Sequence, residues 1–257
     1  MPHSFFHHST LTRQATWPLL IAALVLTAAP RAARGQDVDP ADAAAEQAPA
    51  QTEPPEPDRH PELTRLSPTE EVWIDQRRKR VVVGGRVALD KGLLEFFACP
   101  EGTKEHESVV AVKASARLVH AGLLAIGLEP GRPVSFDPEY TPASGPRIRV
   151  LLQWKDADGT PHQSDARRWI RDTRTGKPLE TDWVFGGSAF WTDPTNGREY
   201  YQADGGDFIC VSNFPTATLD LPIESSQSNE ALLFEVFDER VPRRDTAVEM
   251  VLFEVKD

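Results

Sequence analysis

Apolar residues come in short runs from residue 66 onward, and one stretch alone repeats with a helical period. Val72–Asp75 and Arg80–Val83 flank a charged turn, Gln76–Lys79, and Gly84-Gly85 separates them from Arg86–Leu89. This predicts a short antiparallel meander. Leu93–Cys99 is an apolar run stopped by Pro100, and Ser108–Val112 is a further strand. The helical period lies between Ser115, a capping residue, and Gly127, with Leu118, Val119, Leu123 and Ile126 on one face. Arg147–Trp154 predicts a long strand, followed by a hairpin signal at Asp158-Gly159 and a helical turn within Asp165–Arg171. A second hairpin signal, Asn196-Gly197, joins Ala189–Thr192 to Glu199–Gln202. Phe208–Val211, Leu232–Phe237 and Ala247–Val255 complete the apolar runs. Many short strands around one helix predict a single α+β domain, mainly antiparallel sheet, with its principal helix at about 115–126.

The first 65 residues follow other rules. An apolar run, Trp17–Ala29, is too short to span a bilayer, which takes about 20 apolar residues. Pro30 and Arg31 end it, and Ala33 and Gly35 have the small-residue spacing of a signal-peptidase site. Residues 1–35 therefore read as a cleavable signal peptide, with Gln36 as the mature N-terminus. Residues 36–62 hold six prolines, six alanines, one valine and no aromatic residue. Such a stretch cannot bury enough apolar surface to offset its ordering entropy, so 36–65 reads as a disordered linker. The expected product is exported, periplasmic or extracellular, with a globular domain at 66–257 and no membrane insertion after cleavage.

Charge narrows the partners. The chain carries 28 basic and 39 acidic residues; removing 1–35 takes away three arginines and leaves a net charge of −14. Nucleic-acid phosphates and anionic membranes should repel it.

Four strings carry a resemblance: Val72-Trp73-Ile74-Asp75; Phe96–Pro100 through Lys104–Ser108; Tyr200–Phe208; and Asn213–Ser226. Together they resemble the YdjY domain family of exported bacterial proteins, over roughly 66–257. The family has no established activity, so the resemblance implies export but assigns no ligand or catalytic residue. Some relatives carry a ferredoxin-type label. This chain has two cysteines, whereas an iron–sulfur cluster takes about four cysteine-type ligands.

Those two, Cys99 and Cys210, could form a disulfide in an oxidising compartment or remain buried thiols. Cys99 with His106, oriented by Glu107, would be the minimum equipment for acyl transfer. Lys104, His106, Glu107 and Ser108 place a cation, an imidazole, a carboxylate and a hydroxyl in one short loop suited to a polar ligand. Residues 183–214 hold eight aromatics and four acids. Trp191 and Tyr200 would serve as stacking platforms for a sugar, with Asp204 and Asp207 accepting from its hydroxyls or acting as an acid–base pair. Adjacent Tyr200 and Tyr201 must face opposite sides of a strand. His106, His120 and His162 lack metal-ligand spacing, so no metal and no cofactor are expected. The expected role is a non-enzymatic module for a polar ligand or an extracytoplasmic protein; the alternative is a hydrolase using Cys99/His106 or Asp204/Asp207.

Overall fold

The computed structural model describes residues 58–227 and 231–256. In chain order its strands are β1 (Thr64–Arg65), β2 (Val72–Asp75), β3 (Arg80–Val87), β4 (Leu93–Leu94), β5 (Phe96–Pro100) and β6 (Ser108–Val112). The helix α1 (Ala116–Ala125) comes next, then β7 (Arg147–Lys155), β8 (Pro161–Asp165), β9 (Ile170–Asp172) and β10 (Trp183–Phe185). The rest are β11 (Phe190–Thr192), β12 (Glu199–Tyr201), β13 (Ile209–Cys210), β14 (Leu219–Asp220), β15 (Phe234–Val236) and β16 (Ala247–Glu254).

Eight of these close on themselves: β3, β16, β7, β10, β14, β13, β5 and β6 pair in that order, and β6 returns to β3. The expected α+β domain with a mainly antiparallel sheet is therefore corrected to a mostly-β domain built on an eight-stranded barrel. Two of its pairings, β5–β6 and β13–β14, are parallel.

Alternation places the core. Ile148, Val150 and Leu152 of β7 and Val248, Met250 and Leu252 of β16 join the main apolar cluster with Phe97, Trp183 and Phe185. Leu151, Val251 and Phe253 face the other way, onto Trp73 and Val82. Closure depends on Gly84-Gly85, expected between two strands but in fact inside β3. The first half of β3 pairs with β2 and the second half with β6. A Cβ on Gly85 would lie 2.4 Å from the Ala111 carbonyl oxygen of β6, so only glycine permits this approach.

The helix forms where the sequence placed it. Ser115 Oγ accepts from Leu118 N at 3.3 Å. Gly127, at φ +94°, ends it with Leu128 N donating to Leu123 O at 3.1 Å. Its buried face, Val119 and Leu123, belongs to the main cluster. No helix among the described residues is long and apolar enough to cross a membrane.

The expected signal peptide and residues 36–57 of the expected linker lie outside the described residues. Residues 58–65, also within that linker, lie on the barrel. Trp73 Nε1 donates to Asp58 Oδ1 at 2.8 Å, the Arg59 and Arg65 guanidiniums sit over the Trp73 ring, and β1 pairs with β2.

Candidate functional site

The parallel pair β5–β6 brings two carboxyls together. Phe96 pairs with Ser108, so Glu95 and Glu107 lie side by side one step before the strands begin. Glu95 is 5% exposed, so its carboxyl has little water to hold a charge. Burial first, then the charge of Glu107, pushes Glu95 up to about 7; Asp207 adds to the rise and Lys104 opposes it. Lys104 reaches over the Phe96 ring, 5.1 Å from its centroid, and its stem packs where a Cβ on Gly206 would be. Thus Lys104 and Glu107 of one expected segment meet Asp207 of the other around Glu95. His106 takes no part: its side chain is 71% exposed and 3.4 Å from Glu107. Asp207 accepts from Thr216 Oγ1, and Asp204 accepts from Arg117 N at 2.9 Å, capping α1.

Both cysteines are free, buried thiols, so of the two alternatives for Cys99 and Cys210 the disulfide falls and the buried thiols stand. Cys99 is near the Ser108 and Thr103 hydroxyls and the Lys104 N–H, yet burial still raises its pKa. Cys210 is pushed well above the ordinary thiol value by burial, then by the charges of Asp220, Asp207 and Glu95. Among the described residues no hydrogen bond joins Cys99 to His106.

Two buried polar knots fasten this end of the barrel. Asp220 accepts from Asn213 Nδ2 at 3.1 Å, Leu221 N at 2.7 Å and Phe214 N at 3.3 Å. Burial nevertheless raises it to about 7. His120 Nδ1 lies 2.7 Å from Tyr201 Oη, which is 3.0 Å from Thr218 Oγ1.

The second knot carries the β11–β12 hairpin. Tyr201 points inward and is buried, while Tyr200 points out. Trp191 and Tyr200 are a cross-strand pair, 49% and 40% exposed, with ring centroids 5.9 Å apart and planes tilted by 35°. Three other tryptophans, Trp73, Trp169 and Trp183, are fully buried. The hairpin is firmly seated through Tyr201 and through Gln202 N, which donates to Ala189 O at 2.9 Å.

A cleft of about 820 Å³ lies beside β7, β8 and β16, lined in part by His60, Trp154, His162 and Glu249. Its imidazoles are already engaged: His60 Nε2 lies 2.9 Å from Glu249 and His162 Nε2 lies 2.9 Å from Asp156. Trp154, half-buried, is stacked on His162 and edge-on to Trp169.

The family model of the YdjY domain matches residues 72–253. The chain belongs to the YdjY domain family. Comparison with curated proteins and with solved structures found no match. The match runs from the start of β2 to the penultimate residue of β16, so the YdjY domain here is the barrel with its attached hairpin. Sequence reasoning missed Glu95 and Asp220 of this YdjY domain. Glu95 interrupts an apolar run, which is a signal that a buried partner must exist. Asp220 lies in a string of ordinary turn-like composition and gave no such signal.

Proposed function

We propose that this YdjY domain is a non-enzymatic binding module working outside the cytoplasm, with the β11–β12 hairpin as its contact element and a saccharide as its ligand. The observation that carries this reading is the outward-facing ring pair of Trp191 and Tyr200 on a firmly mounted hairpin. Exposed aromatic area of this kind normally marks an interaction site. A pyranose has an apolar C–H face that stacks on a flat ring and a rim of hydroxyls that stays hydrated, so it suits a platform on an open surface. The hydrolase reading has less support: the Cys99 thiol is buried with its pKa raised, and Asp204 and Asp207 are held by structural hydrogen bonds.

Calorimetric titration of the full chain with a panel of oligosaccharides tests this. Trp191→Ala should weaken binding by about tenfold or more, about 1.4 kcal/mol, and leave the melting temperature unchanged. Wild-type affinity in that variant, or no binding across the panel, would exclude the reading. The export half has its own check. Intact mass of the protein from an expressing cell should show a chain beginning at Gln36 in the extracytoplasmic fraction; a chain retaining residues 1–35 in the cytoplasm contradicts it.

A further inference from the structure

The hairpin face that carries Trp191 and Tyr200 also carries a cation without an ion pair. Arg198 is two residues before Tyr200 on β12's line, hence on the same side. Its guanidinium lies over the Tyr200 ring, 5.4 Å from the centroid. Among the described residues no carboxylate lies within ion-pair distance of it. The two acids nearest in sequence along the hairpin are otherwise placed. Asp193 accepts from Thr195 N at 2.8 Å, Thr195 Oγ1 at 2.7 Å and Asn196 Nδ2 at 2.7 Å, so it is committed to the turn. Glu199 pairs with Thr192 on the side to which Tyr201 points.

We infer that the ligand of this hairpin is an acidic saccharide, whose ring stacks on Trp191 while its carboxylate pairs with Arg198. The inference rests on the saccharide reading above and adds its charge. Chemistry supports the choice. A guanidinium offers a planar fork of donors that matches a carboxylate in two parallel hydrogen bonds, and stacking on Tyr200 orients that fork without using its donors. Arg86 and Arg171 are each consumed by three acids: Arg86 lies within salt-bridge distance of Glu101, Glu105 and Asp245, and Arg171 of Glu235, Asp238 and Glu239. Arg80 and Arg240 lie over rings as Arg198 does, but over Phe253 and Phe237 and not beside an exposed tryptophan. In a chain with 39 acidic and 28 basic residues, an arginine left to an aromatic ring beside an exposed tryptophan fits an anion supplied from outside.

The test is calorimetry on the full chain with oligomers of galacturonic, glucuronic and mannuronic acid and their methyl esters, which keep the ring and remove the charge. The wild type should bind at least one acid about tenfold more tightly than its ester, and added salt should erase the difference. Arg198→Gln should bring the acid down to the ester's affinity without affecting the ester, Arg198→Lys should recover part of the loss, and Trp191→Ala should weaken both. Equal binding of acid and ester, unchanged in Arg198→Gln, overturns the acidic ligand and leaves the saccharide platform standing. Binding of polyglutamate through Arg198 in place of the sugars overturns the saccharide class. No binding of any probe overturns both readings.

Discussion

Asp220 shows how a single side chain here serves packing and titration at once. It satisfies one side-chain amide and two backbone N–H groups in a site without water access. Asp220→Ala leaves those donors without a partner, and urea unfolding should show a loss of about 2–3 kcal/mol. Asp220→Asn keeps the Oδ1 contacts and should fold with a much smaller loss. A second residue-scale test concerns α1, whose first turn is held by Ser115 and by Asp204. Asp204→Ala should cost about 1 kcal/mol through the cap. Because Asp204 is a structural cap, saccharide affinity should stay at the wild-type value. A loss of affinity at constant stability would instead return Asp204 to the ligand site.

At the scale of elements, β3 is the decisive strand, because it bends from β2 to β6 and so turns a sheet into a barrel. Gly85→Ala would force a methyl against the Ala111 carbonyl and the Val112 Cα, both backbone. At Gly84 the obstacle is Glu71: its carboxylate, paired with Arg59 and Lys113, can turn aside, but its Cβ, 2.9 Å from the new methyl, stays. Thermal melts should therefore rank Gly85→Ala well below Gly84→Ala, with Gly85→Ala losing on the order of 3 kcal/mol or failing to fold. This strand also explains what sequence could and could not reveal. The helix was legible because a cap, a period and a terminating glycine agree within one segment, and β7 and β16 because their apolar stretches extend over eight or nine residues. Closure was not legible. Gly84-Gly85 looks like a turn locally, and its reason is a strand about 25 residues further on. β13 and β14 have two residues each, too few to show any period. The candidate residues fared likewise. Trp191, Tyr200, Lys104 and Glu107 could be chosen by type, but the meeting of Lys104, Glu107 and Asp207 around Glu95 is a product of the parallel β5–β6 pair.

For the whole molecule, the two raised carboxyls set the direction of acid response. Asp220 and Glu95 reach about 7, above ordinary values of 3.8 and 4.5. Between those ordinary values and about 7 the folded chain holds protons that the unfolded chain has lost. Stability therefore falls as pH rises through that window and levels off above it. Carboxyls held low by partners, such as Asp172 beside Arg174, act in the opposite sense and only below about pH 4. Melting temperature should be higher at about pH 5 than at about pH 8, on the order of several degrees, and Asp220→Asn should flatten the profile. A profile that rises steadily from about pH 5 to 8 would contradict this assignment.

The position of β16 has a consequence for how the chain comes into being. Its eight residues, Ala247–Glu254, are the wedge between β3 and β7, strands formed about 160 and 100 residues earlier. Until they emerge from the ribosome, β3 and β7 each lack a neighbour and the ring of strands has a gap. Contacts so distant in sequence also make closure slow. A nascent chain of this design stays open until β16 has been made, so the ring waits for a strand about 100 residues beyond β7 before it can close.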